Sequence, residues 1–510
     1  MANYTDNPRQ REIGVILSYV YSALTAVIGL LYVPILLSTI GDSEYGLYQL
    51  IGSIMSYMSL LNGVFSGGIT RYYCKYLAEG NDELMRGVLA AGRNIYRIVS
   101  LLAILFGVVA IIAFSIAYQP VLTDFQMAES YIMLGAVTIN LIVTMQNSLS
   151  ISVIVANERF IFQKGLQLTL LILQPGIVVA LVHFFPYAVL VPLIQLFLNI
   201  IAAILQRAYA KCKLLMKIES CSKSSQLTQG LLVFAGGFLL VMIADQLFWK
   251  TNQLILGFYF GTATVAVYAV ASQIVTAYTS LGLAIPQVFL PKVAALLSSD
   301  SGMQDISDLF IKVGRLTLYP LLFVLTGFIA FGMPFIQLWA GEGFDEAYFI
   351  SLCLMIAATI DLSQNLGLTI LQALNKYHIR GFIYLALALI NSVIVALLAP
   401  TFGSLGAALC SAIAMLIGNG LVMNFYYAKY VGLDIKKFWS EALHVLIPLC
   451  VYGATVAMLI SNIAISWSWQ LLVLFIVCFS IVFIFVAVLF SMNAYEINLI
   501  KKVFRKITKK

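Results

Sequence analysis

Six side chains in one short stretch of an apolar segment could do chemistry. They are Asp245, Gln246, Trp249, Lys250, Asn252 and Gln253. At 100° per residue they fall within an arc of about 160° of a helix, and leucine, isoleucine and phenylalanine fill the other side. An ionised side chain in hydrocarbon costs about 3 kcal/mol or more, so it faces a water-filled cavity or a partner. Lys250 is the group here that would bind an anion.

A second apolar segment has a similar polar face. It consists of Asp361, Gln364, Asn365, Thr369 and Gln372. Two interpretations of the charges stay open. In the first, Lys250 forms a structural ion pair with Asp361 or Asp245. In the second, these residues line a cavity that offers a cation to an anionic substrate and acids to a coupling proton.

The elements that position these residues are predicted membrane spans. The chain has 510 residues, 62% hydrophobic and 10% charged, with mean hydropathy +0.98. A soluble protein has about a quarter charged residues, and a spanning helix needs about 20 mostly apolar residues. The fourteen predicted spans are 13–37, 45–70, 94–117, 131–155, 166–182, 188–206, 231–256, 264–290, 316–338, 347–371, 382–399, 403–427, 442–460 and 468–491. The flank of the first span lacks a basic cluster and a small-residue cleavage site, so we expect a retained helix rather than a signal peptide.

Lysine and arginine are distributed asymmetrically along these spans. Every one except Lys250 falls at a terminus, in connections that alternate to one side, or, for Arg97, in the first turn of a span on that side. The opposite side carries acids: Asp42, Glu44, Asp124, Glu129, Glu342, Asp345 and Glu346. The positive-inside rule therefore predicts that both termini are cytoplasmic. The formal charge of +7 then faces anionic lipid and does not indicate nucleic-acid binding.

A weak internal repeat divides the chain. The offset from Gly41 to Gly261 is close to the offset from Gln146 to Gln364, and similar residues follow each member of a pair. Two groups of six spans would be parallel repeats about an axis along the membrane normal, an arrangement typical of transporters. The predicted division is an N-terminal six-helix lobe (1–206), a cytoplasmic linker (207–229), a C-terminal six-helix lobe (230–428), and two extra helices with a basic cytoplasmic tail (429–510).

Other motifs add little catalytic signal. The scattered cysteines and three isolated histidines predict neither a metal site nor a disulfide. No GxxxxGK[ST] motif is present, so ATP is not bound by a P-loop. Arg71, at the inner end of the second span, is either a snorkelling anchor or an inner contact for a phosphate. The external connections are short, which disfavours an enzyme that acts outside the membrane.

Three stretches carry a resemblance to a known family. They are "YGLYQLIGSIMSYMSLLNGVFSGGITRYYCKYLAEGND" from Tyr45, "ANERFIFQKG" at 156–165 and "TNQLILGFYFGTATVAVYAVASQIV" from Thr251. With the span count, they resemble the bacterial polysaccharide (O-antigen, Wzx-type) flippases of the multidrug/oligosaccharidyl-lipid/polysaccharide exporter superfamily. The resemblance implies an all-α, MATE-like membrane fold of about 14 transmembrane helices. This sequence departs from the family pattern at Asn62, where an acid is common before glycine, and at Asn252, where an acid often precedes "LILG".

The resemblance also implies a function. A flippase would move a polyprenyl-diphosphate-linked oligosaccharide from the cytoplasmic to the outer leaflet by alternating access, for cell-surface polysaccharide synthesis. It would be a multi-pass protein of the bacterial cytoplasmic membrane, not an enzyme, with no cofactor and with H+ or Na+ as candidate coupling ions. Membrane lipid and a polysaccharide polymerase or glycosyltransferase are the implied partners. The alternatives are a multidrug (MATE-like) cation-coupled exporter, a lipid II flippase, and a membrane glycosyltransferase or ligase.

The resemblance assigns roles to nine residues. Lys250 and Arg71 would offset the diphosphate charge, which is costly to desolvate alone. The amides that would bond sugar hydroxyls are Gln146, Asn147, Gln253, Gln364 and Asn365. Asp245 and Asp361 would hold Lys250 or accept a coupling proton. No catalytic or metal-binding residue is predicted.

Overall fold

The computed structural model is helical wherever it has regular structure. It describes residues 8–219, 224–289, 292–293, 296, 303–374, 376–463 and 465–498, and no strand is present among them. The first helices are α1 (Pro8–Ala78), α2 (Asp82–Tyr118), α3 (Asp124–Ala156), α4 (Phe160–Val182), α5 (Leu190–Lys213), α6 (Ser224–Phe260) and α7 (Thr262–Val288). The remaining helices are α8 (Met303–Ala340), α9 (Asp345–Ser363), α10 (Leu366–Ala373), α11 (Tyr377–Met415), α12 (Met423–Tyr426), α13 (Ile435–Ser461) and α14 (Trp469–Val486). The predicted all-α class is confirmed.

The number of membrane spans agrees with the prediction. Eleven helices of the described chain are long and apolar enough to cross a membrane. Two of these are each two helices joined at a glycine with positive φ, Gly41 (φ 82°) in α1 and Gly403 (φ 61°) in α11. Glycine adopts this conformation without steric cost. Counting both halves of each, and adding α6, gives about fourteen spans. We call the halves of α1 α1a (8–40) and α1b (42–78).

One predicted span is divided. The sequence predicts a continuous helix over 347–371, but α9 ends at Ser363 and α10 begins at Leu366. At the joint, backbone hydrogen bonds connect residues three apart instead of four. The Gln364 N–H donates to the Asp361 carbonyl oxygen (3.1 Å), and the Gly367 N–H donates to the Gln364 carbonyl oxygen (2.8 Å). Apolar periodicity continues through the joint, so it could not mark this break. Two predicted site residues, Gln364 and Asn365, therefore lie outside regular helix.

The chain divides into two compact units, Met1–Ala269 (unit 1) and Val270–Lys510 (unit 2). Unit 1 holds α1 to α6 and the start of α7, and unit 2 holds the rest of α7 and all later helices. The predicted division into lobes 1–206 and 230–428 rests on sequence repeats and stays a prediction. Part of the predicted linker (220–223) and the basic tail from 499 lie outside the described residues.

Unit 1 is organised around α1b. One buried apolar cluster surrounds its C-terminal half and includes Phe65, Ile69, Tyr96 and Leu149. Another surrounds its N-terminal half and includes Leu50, Phe114, Tyr118 and Leu134. Because both clusters bury residues of α1b, this helix is packed at both ends, and it also contacts α6.

Candidate functional site

Helix α6, which carries the polar stretch, packs antiparallel along α1b within unit 1. Four pairs of neighbouring residues mark the contact with α6, Leu50 with Gly257, Ser53 with Gln253, Gly63 with Met242 and Tyr72 with Gly230, and a fifth joins Gly46 to Thr262 at the start of α7. Numbers rise along one helix as they fall along the other. At Gly46 the approach is so close that a Cβ would lie 1.8 Å from the Thr262 carbonyl oxygen. The residue at 46 must therefore be glycine for the two backbones to meet.

Lys250 lies beside a hydrogen-bonded crossing of these two helices. The Tyr57 hydroxyl donates to the Gln246 carbonyl oxygen (3.0 Å) and lies 2.5 Å from the Thr251 hydroxyl. These bonds fasten α6 to α1b on the turn that holds Lys250, without using its ammonium group. The Lys250 side chain is half-buried, and it has no ion pair or hydrogen bond within the described part of unit 1. A cation without a protein partner in its own unit, within a predicted span, can bind an anionic ligand.

Two of the six polar residues of α6 are closed off in protein contacts. Asn252 is fully buried, and its Nδ2 donates to the Tyr268 hydroxyl at 2.7 Å. Gln253 is 1% exposed, and its Oε1 accepts a hydrogen bond from Ser53 Oγ. The polar arc predicted from the sequence is therefore split, because one edge of it meets α1b and α7. Gln253 can reach a sugar only if its bond to Ser53 opens.

The other edge of the arc remains accessible. Asp245 is exposed, and Gln246, Trp249 and Lys250 are half-buried. The Gln246 Oε1 atom has no hydrogen-bond partner among the described residues. Gln246 and Lys250 are four residues apart and so neighbours on one helix face. Together they offer one amide and one ammonium group to a ligand.

Gln146 and Asn147 lie on α3 in bonds to other helices of unit 1. Gln146 Nε2 donates to Ser100 Oγ on α2 at 3.2 Å. Asn147 Nδ2 donates to Gln206 Oε1 on α5 at 2.5 Å, and Gln206 in turn donates to Gln163 Oε1 on α4 at 2.9 Å. These bonds hold the four helices together. Asn147 Oδ1 has no partner among the described residues and is the acceptor still available there.

Asn62 and Arg71 lie in the C-terminal half of α1b. Asn62, which stands where the family often has an acid, accepts a hydrogen bond from Ser148 Oγ at 2.9 Å. An amide thus serves as acceptor between α1b and α3 without a charge. Arg71 is exposed at the C-terminal end of α1b, nine residues further along the chain. The structure does not bring Arg71 to the turn of Lys250, and its role stays a prediction.

In unit 2, Asp361 pairs with Arg380, a partner that was not predicted from the sequence. Arg380 Nη2 lies 3.3 Å from Asp361 Oδ1. Both side chains are mostly buried, with 15% and 24% of their surfaces exposed. Arg380 belongs to the first turn of α11 and is one of the basic residues predicted to lie on the cytoplasmic side. The charge of Asp361 is therefore compensated within its own unit.

Gln364 and Asn365 lie at the joint between α9 and α10. Gln364 is 4% exposed, and neither its Oε1 nor its Nε2 has a partner among the described residues. Asn365 is 9% exposed. A buried amide without partners is costly, so Gln364 is a candidate for binding a polar ligand when this joint opens. Its position agrees with the predicted role but does not test it.

Comparison with known families gives one match. The family model described as "Polysaccharide biosynthesis protein" matches residues 13–296, which is more than half of the chain. No curated protein matches the sequence.

Several solved structures share the fold. An inward-facing conformation of a multidrug resistance MATE family transporter of the MOP superfamily has a TM-score of 0.62 at 11% identity, covering 81% of this chain and 96% of that chain. The MATE multidrug transporter DinF-BH has a TM-score of 0.54 at 13% identity, covering 84% and 97%. A MOP superfamily transporter from Pyrococcus furiosus Vc1, described as having reverse polarity of its binding pocket, has a TM-score of 0.52 at 11% identity, covering 88% and 94%. The predicted MATE-like fold is confirmed, and at these identities the likeness concerns the fold alone.

Proposed function

This chain belongs to the polysaccharide biosynthesis protein family, and from that membership we propose that it is a flippase for a lipid-linked sugar. Its substrate is a polyprenyl-diphosphate-linked oligosaccharide, moved from the cytoplasmic to the outer leaflet. The protein lies in the bacterial cytoplasmic membrane with both termini cytoplasmic, as the lysine and arginine distribution indicates. It changes no covalent bond in the substrate.

The observation that carries this proposal is Lys250. It is the one basic residue placed well inside a predicted span, and it has no partner in the described part of its own unit. A diphosphate that leaves water needs a compensating charge. An ammonium group is a strong phosphate donor. A cationic drug would instead be repelled by it.

Amide groups within each unit support a sugar substrate. Gln246, four residues before Lys250, has a free amide oxygen among the described contacts of α6. Gln364 in unit 2 has an amide with no described partner at either atom. Amide groups both donate and accept, and so they match sugar hydroxyls, which do the same. The apolar lipid tail stays in the bilayer while the head group crosses.

The proposal is tested in a bacterial strain that lacks its own polysaccharide flippase and is supplied with the matching oligosaccharide pathway. Surface polymer is measured with the wild-type protein, with Lys250→Ala and with Lys250→Arg. We expect wild type to restore polymer, Lys250→Ala to fail, and Lys250→Arg to restore it in part because the charge remains. Lys75→Ala is the matched control, since Lys75 is exposed at 59% and carries the same charge.

Each outcome has a defined meaning. Restoration by wild type and by Lys250→Ala alike would keep the function and contradict the role of the lysine. No restoration by any variant, with the protein shown to be in the membrane, would contradict the flippase proposal for that substrate. Assays of lipid II flipping and of drug efflux would then distinguish the alternatives.

A further inference from the structure

Two acidic side chains meet at the end of unit 1 that we predict to be external. Glu44 lies in the first turn of α1b, just after the break at Gly41. Its Oε2 accepts a hydrogen bond from the backbone N–H of Ala188, in the connection between α4 and α5, at 3.1 Å. Glu129, near the start of α3, lies close enough to interact electrostatically with the Glu44 side chain and the backbone amide of Val189. Three helix starts therefore converge on two carboxyl groups.

Glu129 is buried and incompletely satisfied. Its side chain is 5% exposed. Neither carboxylate oxygen makes a hydrogen bond of normal geometry with any described residue. Apolar residues that include Leu47, Met133 and Ala188 form the adjoining cluster. An ionised carboxylate in such surroundings lacks both solvent and a well-formed hydrogen bond, whereas a protonated carboxyl could donate its O–H directly to Glu44.

No basic residue can compensate the pair from the elements that carry it. Residues 12–70, 98–158 and 165–206 contain no lysine or arginine. The other titratable groups near these helix starts are Asp42, Tyr45, Tyr48, Tyr118, Asp124, His183 and Tyr187. The converging helix N-termini favour one negative charge. Two carboxylates in contact repel each other, so the second charge is removed by a proton.

We propose that Glu44 and Glu129 together bind one proton, and that this pair is the site at which the flippase takes up a proton from the external side. This inference rests on the proposed function for its role in transport. Uptake moves one proton from the external solution to a carboxylate oxygen and changes the pair from two negative charges to one. The shared proton joins α1b to α3 next to the α4–α5 connection. Its loss makes the two helices repel each other.

The first experiment reads the proton directly and needs no substrate. Infrared difference spectra of the purified full-length protein are recorded across a pH titration, and the band of a protonated carboxyl group is followed. We expect a band in the wild type at neutral pH that disappears as the pH rises. It should be lost in Glu129→Gln, disappear at a lower pH in Glu44→Gln because the repelling carboxylate is gone, and be unchanged in Asp124→Asn, a control at an exposed acid of the same end. Absence of the band in the wild type at neutral pH would overturn the proposal without requiring any variant to fold.

The second experiment measures transport in proteoliposomes that contain the lipid-linked oligosaccharide. We expect external acid to raise wild-type flipping several-fold over equal pH, and Glu129→Gln to flip at one rate in both conditions. Stimulation of Glu129→Gln equal to that of wild type would overturn the proposal, as would stimulation of wild type by Na+ but not by acid. If wild type does not flip at all, the proposed function fails, while the infrared result still decides whether the pair holds a proton.

Discussion

Two cations in the two units are treated in opposite ways. In unit 2, Arg315 is 4% exposed, and its guanidinium donates to Glu496 (2.8 and 3.0 Å), to Glu441 (2.9 Å) and to the Ser491 carbonyl oxygen (2.9 Å). In unit 1, Lys250 has no such partner among the described residues of that unit. A charge that serves the fold is surrounded by acceptors. A charge left without them is available to a ligand.

The largest expected effect on stability comes from removing the fully paired cation, Arg315. We expect Arg315→Ala to lower the free energy of unfolding by about 3–5 kcal/mol, because it leaves Glu496 buried without its partner. Thermal unfolding in detergent measures this loss. Lys312→Ala is the matched control, since it removes a positive charge from an exposed position three residues earlier. Equal stability of the two variants would show that the Arg315 network is not structural.

Acid should weaken the same network. Burial would raise the pKa of the Glu496 carboxyl, but hydrogen bonds from Arg315, the Asn493 N–H and Tyr319 outweigh it and lower that pKa. A lowered carboxyl pKa contributes stability above the unfolded value of about 4.3, and this is lost as the pH falls through the folded pKa. The stability difference between wild type and Arg315→Ala should therefore shrink below about pH 4. A difference that is constant down to pH 3 would contradict this origin.

The next effect has the opposite sign. We expect Lys250→Met to raise the free energy of unfolding by about 1–3 kcal/mol, because it removes an unpaired charge from a span and keeps the volume. The same variant should lose transport, as stabilising changes at functional sites often do. Thermal unfolding is measured on the purified variant, and surface polymer on the cells that express it. A loss of stability would mean that Lys250 has a structural partner after all.

A smaller effect on stability is expected at Gln253, on the buried edge of the polar arc of α6. We expect Ser53→Ala to lower the free energy of unfolding by about 1–2 kcal/mol, because Gln253 Oε1 then stays buried without a donor. Ser59→Ala is the control, since that hydroxyl bonds only to the Ser56 carbonyl of its own helix and is exposed. A shift no larger than that of the control would indicate that Gln253 is hydrated and part of the cavity.

The smallest effect lies at the exposed rim of the Arg315 network. Glu441 has 41% of its side-chain surface exposed, against 4% for Glu496. We expect Glu441→Gln to change the free energy of unfolding by less than about 1 kcal/mol, because water screens an exposed pair. Thermal unfolding of Glu441→Gln and Arg315→Ala, measured side by side, compares the two losses in free energy of unfolding. A loss as large as that of Arg315→Ala would place the stabilising contact on Glu441 rather than on Glu496.

The sequence predicted the spans because apolar length and helical period are local properties. It also predicted Lys250 as an unusual charge, since the other basic residues lie outside the spans or at a span end. It could not predict which edge of the α6 arc meets α1b, because that depends on Ser53 and Tyr57, about 200 residues away. Arg315 looked like an ordinary span end for the same reason, since Glu496 follows it by 181 residues. Distant pairing leaves no periodic signal.

The central claim is that Lys250 binds the diphosphate of the substrate. The most direct test is the rate at which purified protein in liposomes flips a polyprenyl-diphosphate oligosaccharide, with wild type compared with Lys250→Ala. A lost charge-assisted hydrogen bond of about 1.5–3 kcal/mol predicts a rate lower by roughly 10- to 100-fold. Flipping of a polyprenyl monophosphate analogue should fall less, because it carries less charge. Equal rates for wild type and Lys250→Ala on the diphosphate substrate would contradict the account.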